Sequence, residues 1–217
     1  MSYTSRMLPL LGRFRRERNG LAADTMRYYG KRYGLNYGVS LPTMRMVAAD
    51  EAADHDFARY LYGQDVRCLQ LVALHLADPK RLSQADELRF WMEGLRNSEL
   101  AEEAAFVLLR QVEELESIRP ATTLEAYAVL MAAARHESPS VSWISRSLVE
   151  IGRVAADERA EGYELPLLVQ ATTVLWARLM GCSEAHRCAV ADALKGLGTS
   201  SWEELLREEL SWRFDYQ

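Results

Sequence analysis

Val66-Arg67-Cys68-Leu69-Gln70-Leu71-Val72-Ala73-Leu74-His75-Leu76-Ala77 places Val66, Leu69, Ala73 and Leu74 at i, i+3, i+7 and i+8. Those positions share one face of an α-helix, so the stretch predicts an amphipathic helix with a buried stripe. The same spacing recurs in 99–112 through Leu100, Ala104, Val107, Leu108 and Val112. Residues 124–135, 141–155 and 165–180 are apolar over a wider arc, as helices packed on two sides must be. Near the C-terminus, Ser200-Ser201-Trp202-Glu203-Glu204 offers two overlapping capping boxes, followed by an apolar stripe of Trp202, Leu205, Leu206 and Leu210. Breakers separate the helical runs at Asn19-Gly20, Gly38, Asp78-Pro79, Arg119-Pro120, Ser138-Pro139, Glu161-Gly162, Gly181 and Gly196 to Gly198. No alternation of period two is sustained long enough to argue a strand. Counting between breakers predicts about ten or eleven helices, paired antiparallel by short connections. A pair roughly every 35–45 residues matches a HEAT-like α-solenoid, an α-α superhelix. The expected fold class is therefore all-α, with 1–217 forming a single HEAT-like helical repeat domain; an irregular helical bundle is the competing arrangement.

Composition agrees with a protein that builds a core. Apolar residues make up 49% and charged residues 26% of the 217, enough hydrophobicity to exclude a disordered chain. Three cysteines, Cys68, Cys182 and Cys188, are too few for a disulfide framework and fit a reducing, cytoplasmic setting. The apolar run in the first eleven residues is too short for a secretory signal, and no segment is long enough to predict a membrane span. The net charge of −5 conceals an asymmetry. Residues 1–50 hold nine Arg and Lys against three acids, a net of +6, which leaves −11 for the remainder. The basic set comprises Arg6, Arg13, Arg15, Arg16, Arg18, Arg27, Lys31, Arg32 and Arg45. Such an end either meets an anionic partner or pairs with an acidic neighbour in the same fold.

The most specific stretch is Asp24-Thr-Met-Arg-Tyr-Tyr-Gly-Lys-Arg-Tyr-Gly-Leu-Asn-Tyr-Gly-Val-Ser-Leu-Pro-Thr-Met-Arg45. Read from its residues, it joins two helices: Gly38 can take a positive φ, Pro42 suits a first helical turn, and Tyr28, Tyr29, Tyr33 and Tyr37 supply aromatic packing with polar tips. The stretch resembles the opening of the DNA alkylation repair glycosylases, HEAT-like proteins that excise N3- and N7-alkylated purines. Met26, Tyr29, Lys31, Gly38, Val39, Pro42 and Arg45 stand at the matching positions, while Gly30 replaces the Met of a Tyr-Met pair. Asp65 to Leu76 is similar to the family's next repeat, where an acid and an Arg lead into an apolar helix.

That resemblance implies a Trp, an Asp four residues later, an Arg that grips phosphate and a second Trp, together lining a concave face. Aromatic faces would hold the cationic base and the carboxylate would stabilise an oxocarbenium-like sugar. In this sequence Ser98 stands at the first Trp position and Glu102 at the Asp, so Glu102 is the only catalytic candidate. Ala126 stands at the Arg position, and the second Trp position falls near Glu150, two turns beyond Trp143. The resemblance thus implies DNA-repair ancestry with degenerate or absent N-glycosylase activity. No cofactor is implied.

Other constellations read as structural. Cys182 and His186 are spaced for one helix face, but Cys188 points away and no fourth metal ligand is evident. Asp54-His55-Asp56 sits in a turn, where Asp54 suits an N-cap and the group reads as solvated. His75 reads as a satisfied core histidine. Glu99, Glu102, Glu103, Glu113, Glu114 and Glu116 read as a solvated acidic face. The five tryptophans read as core, and neither a phosphate loop nor a nucleophile elbow is present.

Two functional readings follow, with a third behind them. In the first, Arg13, Arg15, Arg16, Arg18, Lys31, Arg32 and Arg45 contact the phosphates of double-stranded DNA without reading sequence. In the second, the chain is a non-enzymatic scaffold that takes a protein or peptide partner in its concave groove. The third is an enzyme of unrelated chemistry built on the Glu-rich helix.

Overall fold

Asn19, Ser40, Asp54, Asn97, Thr122 and Ser183 each turn the chain into a helix by accepting a hydrogen bond from a backbone N–H two or three residues ahead. A short polar side chain at this position satisfies one of the amides that the first helical turn leaves without a partner. The structure, a computed structural model, describes residues 2–215, with side chains to Ser211. It is built from helices α1 (Tyr3–Arg16), α2 (Gly20–Tyr28), α3 (Leu41–Ala49), α4 (His55–Tyr62), α5 (Arg67–Leu76), α6 (Ala85–Glu93), α7 (Ser98–Val107), α8 (Thr123–Ala133), α9 (Ser142–Ala155), α10 (Glu164–Met180), α11 (Glu184–Gly196) and α12 (Ser201–Asp215). Three short 3-10 turns lie at Pro79–Ser83, Leu109–Gln111 and Leu115–Ser117.

The breakers read from the sequence all fall between helices or at their ends. Gly63 and Gly94, not counted among them, also end helices, capping α4 and α6. Among the described residues there are therefore twelve α-helices where ten or eleven are expected. The stripe read through 99–112 is not one helix: α7 stops at Val107 and a 3-10 turn carries Leu109 and Val112 inward. Among the described residues the only β-type pairing is a single bridge between Leu35 and Val66.

The chain divides into two compact units, Met1–Glu113 and Glu114–Gln217. In the first, α3, α5 and α7 form one layer, with α5 between its neighbours, and α4 lies across α5. Helices α1 and α6 adjoin α4 in the second layer, α6 through Trp91 against Tyr62 and His55. Leu69, Leu71, Val72 and Ala73 of α5 are wholly buried, as the central position of that helix requires. In the second unit α10 is the hub, packed by α8, α9, α11 and α12. The indole N–H of Trp176 donates to Ser147 Oγ at 3.0 Å and fixes α10 against α9. Trp91, Trp143 and Trp176 are core residues, Trp202 is half-buried, and Trp212 lies outside the described side chains. The α12 stripe forms through Leu206 and Leu210, which are wholly buried, whereas Leu205 at its edge is partly exposed. Its N-terminal box forms through Glu203, which accepts from the Ser200 N–H and hydroxyl.

Candidate nucleic-acid interface

Glu99 and Glu103 are four residues apart on α7 and so face the same way. Both point at the α3–α5 layer. Arg67, only 1% exposed, donates from Nε and one Nη to the two oxygens of Glu99 at 2.8 and 2.6 Å. Its other Nη donates to the Val39 carbonyl at 2.6 Å. Tyr33 completes the cluster, donating to Glu99 at 2.7 Å and to Asn97 at 3.1 Å. Burial alone would raise the Glu99 pKa, but Arg67, Tyr33 and the more distant Lys31 hold it below its ordinary value.

One turn along, Arg45 grips Glu103 through both carboxylate oxygens, at 3.0 and 2.7 Å, while His75 Nε2 lies 2.6 Å from the first of them. Burial would raise the Glu103 pKa, yet His75 and Arg45 outweigh it and bring it down to about 2. A carboxyl depressed below its ordinary 4.5 stabilises the fold fully above that pH, and the contribution is lost as pH falls toward 2. Urea midpoints should therefore fall as pH drops from about 4.5 to 2, and Glu103→Gln should flatten that fall. An unchanged acid limb in the variant would remove Glu103 from this role.

The acidic stretch is thus solvated only in part: Glu102, Glu113, Glu114 and Glu116 are exposed as expected from the sequence, whereas Glu99 and Glu103 are internal counter-ions. Their i, i+4 spacing opposite Arg67 and Arg45 was the available signal. His55 departs from its expected setting in the same way. Asp54 does cap α4, but the His55 ring is buried, with Nδ1 accepting from the Asp78 N–H and Nε2 against Glu87. Arg59 also pairs with Glu87. His75 is hydrogen-bonded as expected. Cys68 is buried and pushed up to about 12, which leaves its thiol inert near neutrality. Cys182 donates to the Arg178 carbonyl and His186 contacts Ser183, and no cluster of metal ligands occurs among the described residues.

Glu102 faces solvent on α7, turned away from the side that carries Glu99 and Glu103. Ser98, one turn earlier, is the first residue of the helix. One turn later stands Phe106, 38% exposed, with the Arg45 guanidinium 4.8 Å and that of Arg110 5.6 Å from its ring centre. The aromatic surface nearest Glu102 along the helix is thus already engaged by two cations of the same chain. In the second unit Ala126 is completely buried, and Glu150 pairs with Arg153 at 3.2 Å.

Of the predicted basic residues, Arg15, Arg16 and Arg18 lie at and just past the end of α1, exposed and without an ion pair among the described residues. Arg32 is exposed beyond α2 in the same condition, and Lys31 beside it is half-buried near Glu99. Arg13 pairs with Asp50 at 2.7 Å, an exposed interaction worth less than about 1 kcal/mol. Arg45, 39% exposed, is committed to Glu103.

The segment between α2 and α3 is tightly tied. Gly30, at φ +78°, closes α2: its N–H donates to the Arg27 carbonyl, and that of Lys31 to Met26. The Gly that departs from the resembled motif is therefore the residue that terminates the helix. Leu35 exchanges backbone hydrogen bonds with Asp65 and Arg67, and Gly34 N–H donates to the Asp65 side chain. Asn19 N–H reaches the Tyr37 carbonyl at 2.7 Å, and Gly38 holds φ +68° against that junction. Tyr33 packs as expected of the tyrosines, but Tyr28 and Tyr29 stand in solvent.

A family model described as DNA alkylation repair enzyme matches residues 10–126, more than half of the sequence. The chain belongs to the DNA alkylation repair enzyme family. The matched span contains the whole α3–α5–α7 layer with its ion pairs and the tied segment before it. A solved structure from a family related to the HEAT-like repeat DNA glycosylases, with affinity for branched DNA structures, is also similar. It superposes with a TM-score of 0.68 at 14% identity, covering 98% of this chain and 95% of that one. This likeness establishes the all-α, HEAT-like fold. No curated protein matches. No helix among the described residues is long and apolar enough to cross a membrane.

Proposed function

We propose that this member of the alkylation repair family binds DNA through its first repeats and has little or no N-glycosylase activity of the usual kind. The observation that carries the reading is the set of exposed arginines without ion pairs among the described residues, Arg15, Arg16, Arg18 and Arg32, in the family-matched part of a chain that is otherwise acidic. Cations that the fold does not consume are available for phosphate, and phosphate neutralisation dominates affinity for DNA. The weak chemistry is supported by α7. Glu102 lacks an aromatic one turn before it, Phe106 one turn after it is occupied by Arg45 and Arg110, and the buried Ala126 can grip nothing.

Binding to a plain duplex should weaken steeply with salt, and charge reversal at Arg15, Arg16 or Arg32 should reduce the slope of log K against log salt by about one for each phosphate no longer neutralised. Alkylated duplex should release no 7-methylguanine or 3-methyladenine above the uncatalysed rate. Release abolished by Glu102→Gln would overturn the inactive reading. Absence of any duplex binding at physiological ionic strength would favour the scaffold alternative, with a protein or peptide as partner.

A further inference from the structure

Two tyrosine rings face water side by side at one end of α2. Tyr28 is 83% exposed and Tyr29 72%, with ring centres 5.2 Å apart at 86°. Leu21, on the same helix face as Tyr28, is 79% exposed. Rings this exposed contribute little to the core, so fold stability does not explain them.

Their mounting is rigid. Gly30 ends the helix immediately after the pair, and within the next nine residues the chain is fastened to α5 and α7 by Tyr33 to Glu99, Gly34 to Asp65, Leu35 to Asp65 and Arg67, and Arg67 to Val39. The buried ion pair at Arg67 therefore fixes the position of a turn whose tip offers two aromatic rings to solvent. Around the rings the sequence runs Arg27-Tyr28-Tyr29-Gly30-Lys31-Arg32. Arg27 is tied only to exposed Asp24, at 3.3 Å, and Arg32 has no ion pair among the described residues. Aromatic rings interleaved with cations suit a strand whose bases are unstacked: the rings take the base faces and the cations take the phosphates. A plain duplex hides its base faces and can use only the cations.

We infer that Tyr28 and Tyr29 form a preset stacking edge for unpaired bases in DNA, so that the protein selects DNA carrying a single-stranded gap or flap over uninterrupted duplex. This rests on the DNA-binding reading above and names the feature of the DNA that this end of the molecule recognises. Fixing the rings in advance lowers the ordering cost of binding.

The test compares fluorescence anisotropy titrations of the full chain with a plain duplex and with a duplex of equal length carrying a short single-stranded gap. The wild type should bind the gapped DNA at least about tenfold more tightly. Tyr28→Ala with Tyr29→Ala should erase that preference, leaving duplex affinity within about twofold and the salt dependence unchanged. Tyr28→Phe with Tyr29→Phe should retain the preference, because the ring and not the hydroxyl does the stacking. Thermal melts of both variants should match the wild type, since neither ring is buried. Equal binding of both DNAs by the wild type, or equal loss on both DNAs in the alanine variant, would overturn the stacking edge while leaving DNA binding intact. If the wild type binds neither DNA, the DNA-binding reading itself falls.

Discussion

Arg67→Ala should lower the unfolding free energy by about 3–5 kcal/mol, a large part of the roughly 5–15 kcal/mol that holds an ordinary domain together. Three hydrogen bonds vanish at once. The Glu99 carboxylate loses both charged donors and keeps only Tyr33, and the Val39 carbonyl loses its donor. The remaining charge is half of an ion pair largely shielded from solvent, the Glu99 side chain being only 12% exposed, so water replaces the missing partner poorly. The net value of the intact pair is smaller than this loss, because burying it already cost desolvation. Arg67→Met combined with Glu99→Leu should therefore recover much of what the single variant loses. Urea unfolding of Arg67→Ala and of the double variant decides the matter: a midpoint for Arg67→Ala close to that of the wild type would contradict the role assigned to this cluster.

Gly38→Ala should cost more than about 3 kcal/mol, combining left-handed backbone strain of roughly 1–2 kcal/mol with a steric conflict. Gly38 sits at φ +68°, and an added Cβ would lie 1.9 Å from the Asn19 carbonyl oxygen. That oxygen cannot simply yield. It accepts from the Ala23 N–H in the first turn of α2, while the Asn19 N–H donates to Tyr37 and the Asn19 side chain caps α2. Any shift must therefore move the start of α2 and the segment leading to α3 together. Chemical denaturation should show the loss, and a stabilised Gly38→Ala protein would refute the steric conflict. Gly30→Ala separates the two causes: the backbone is also left-handed there, but a Cβ would meet nothing, so the cost should be only the strain.

The helices were legible because their causes are local. Caps, glycine stops and the 3.6 periodicity act within a turn or two of sequence, and the breakers fall where the chain turns. Charge was less legible because its consequences depend on distant residues. Glu99, Glu102 and Glu103 look alike in a string, yet two are internal counter-ions and one is exposed, and what separates them is the position of Arg67 and Arg45 across the layer. The same limit applies to the basic end: Arg45 and Arg15 are equally cationic, but only Arg45 meets a buried carboxylate. The tyrosines divided likewise, Tyr33 inward to Glu99 and its two neighbours outward, because the turn at Gly30 sets which side of the segment faces α7.

The ion pair from Arg45 to Glu103 spans 58 residues and passes over α5 to join α3 directly to α7. In a stack of helical repeats each unit ordinarily touches only its neighbours, and the ends can fray one repeat at a time. Here α3 cannot peel away without taking the guanidinium from a buried carboxylate on α7 and leaving it only His75, so α3, α5 and α7 open and close as one cooperative block. A nascent chain faces the same condition. Its early helices emerge from the ribosome with Arg45 and Arg67 unmatched, and this block matures only once α7 has been made.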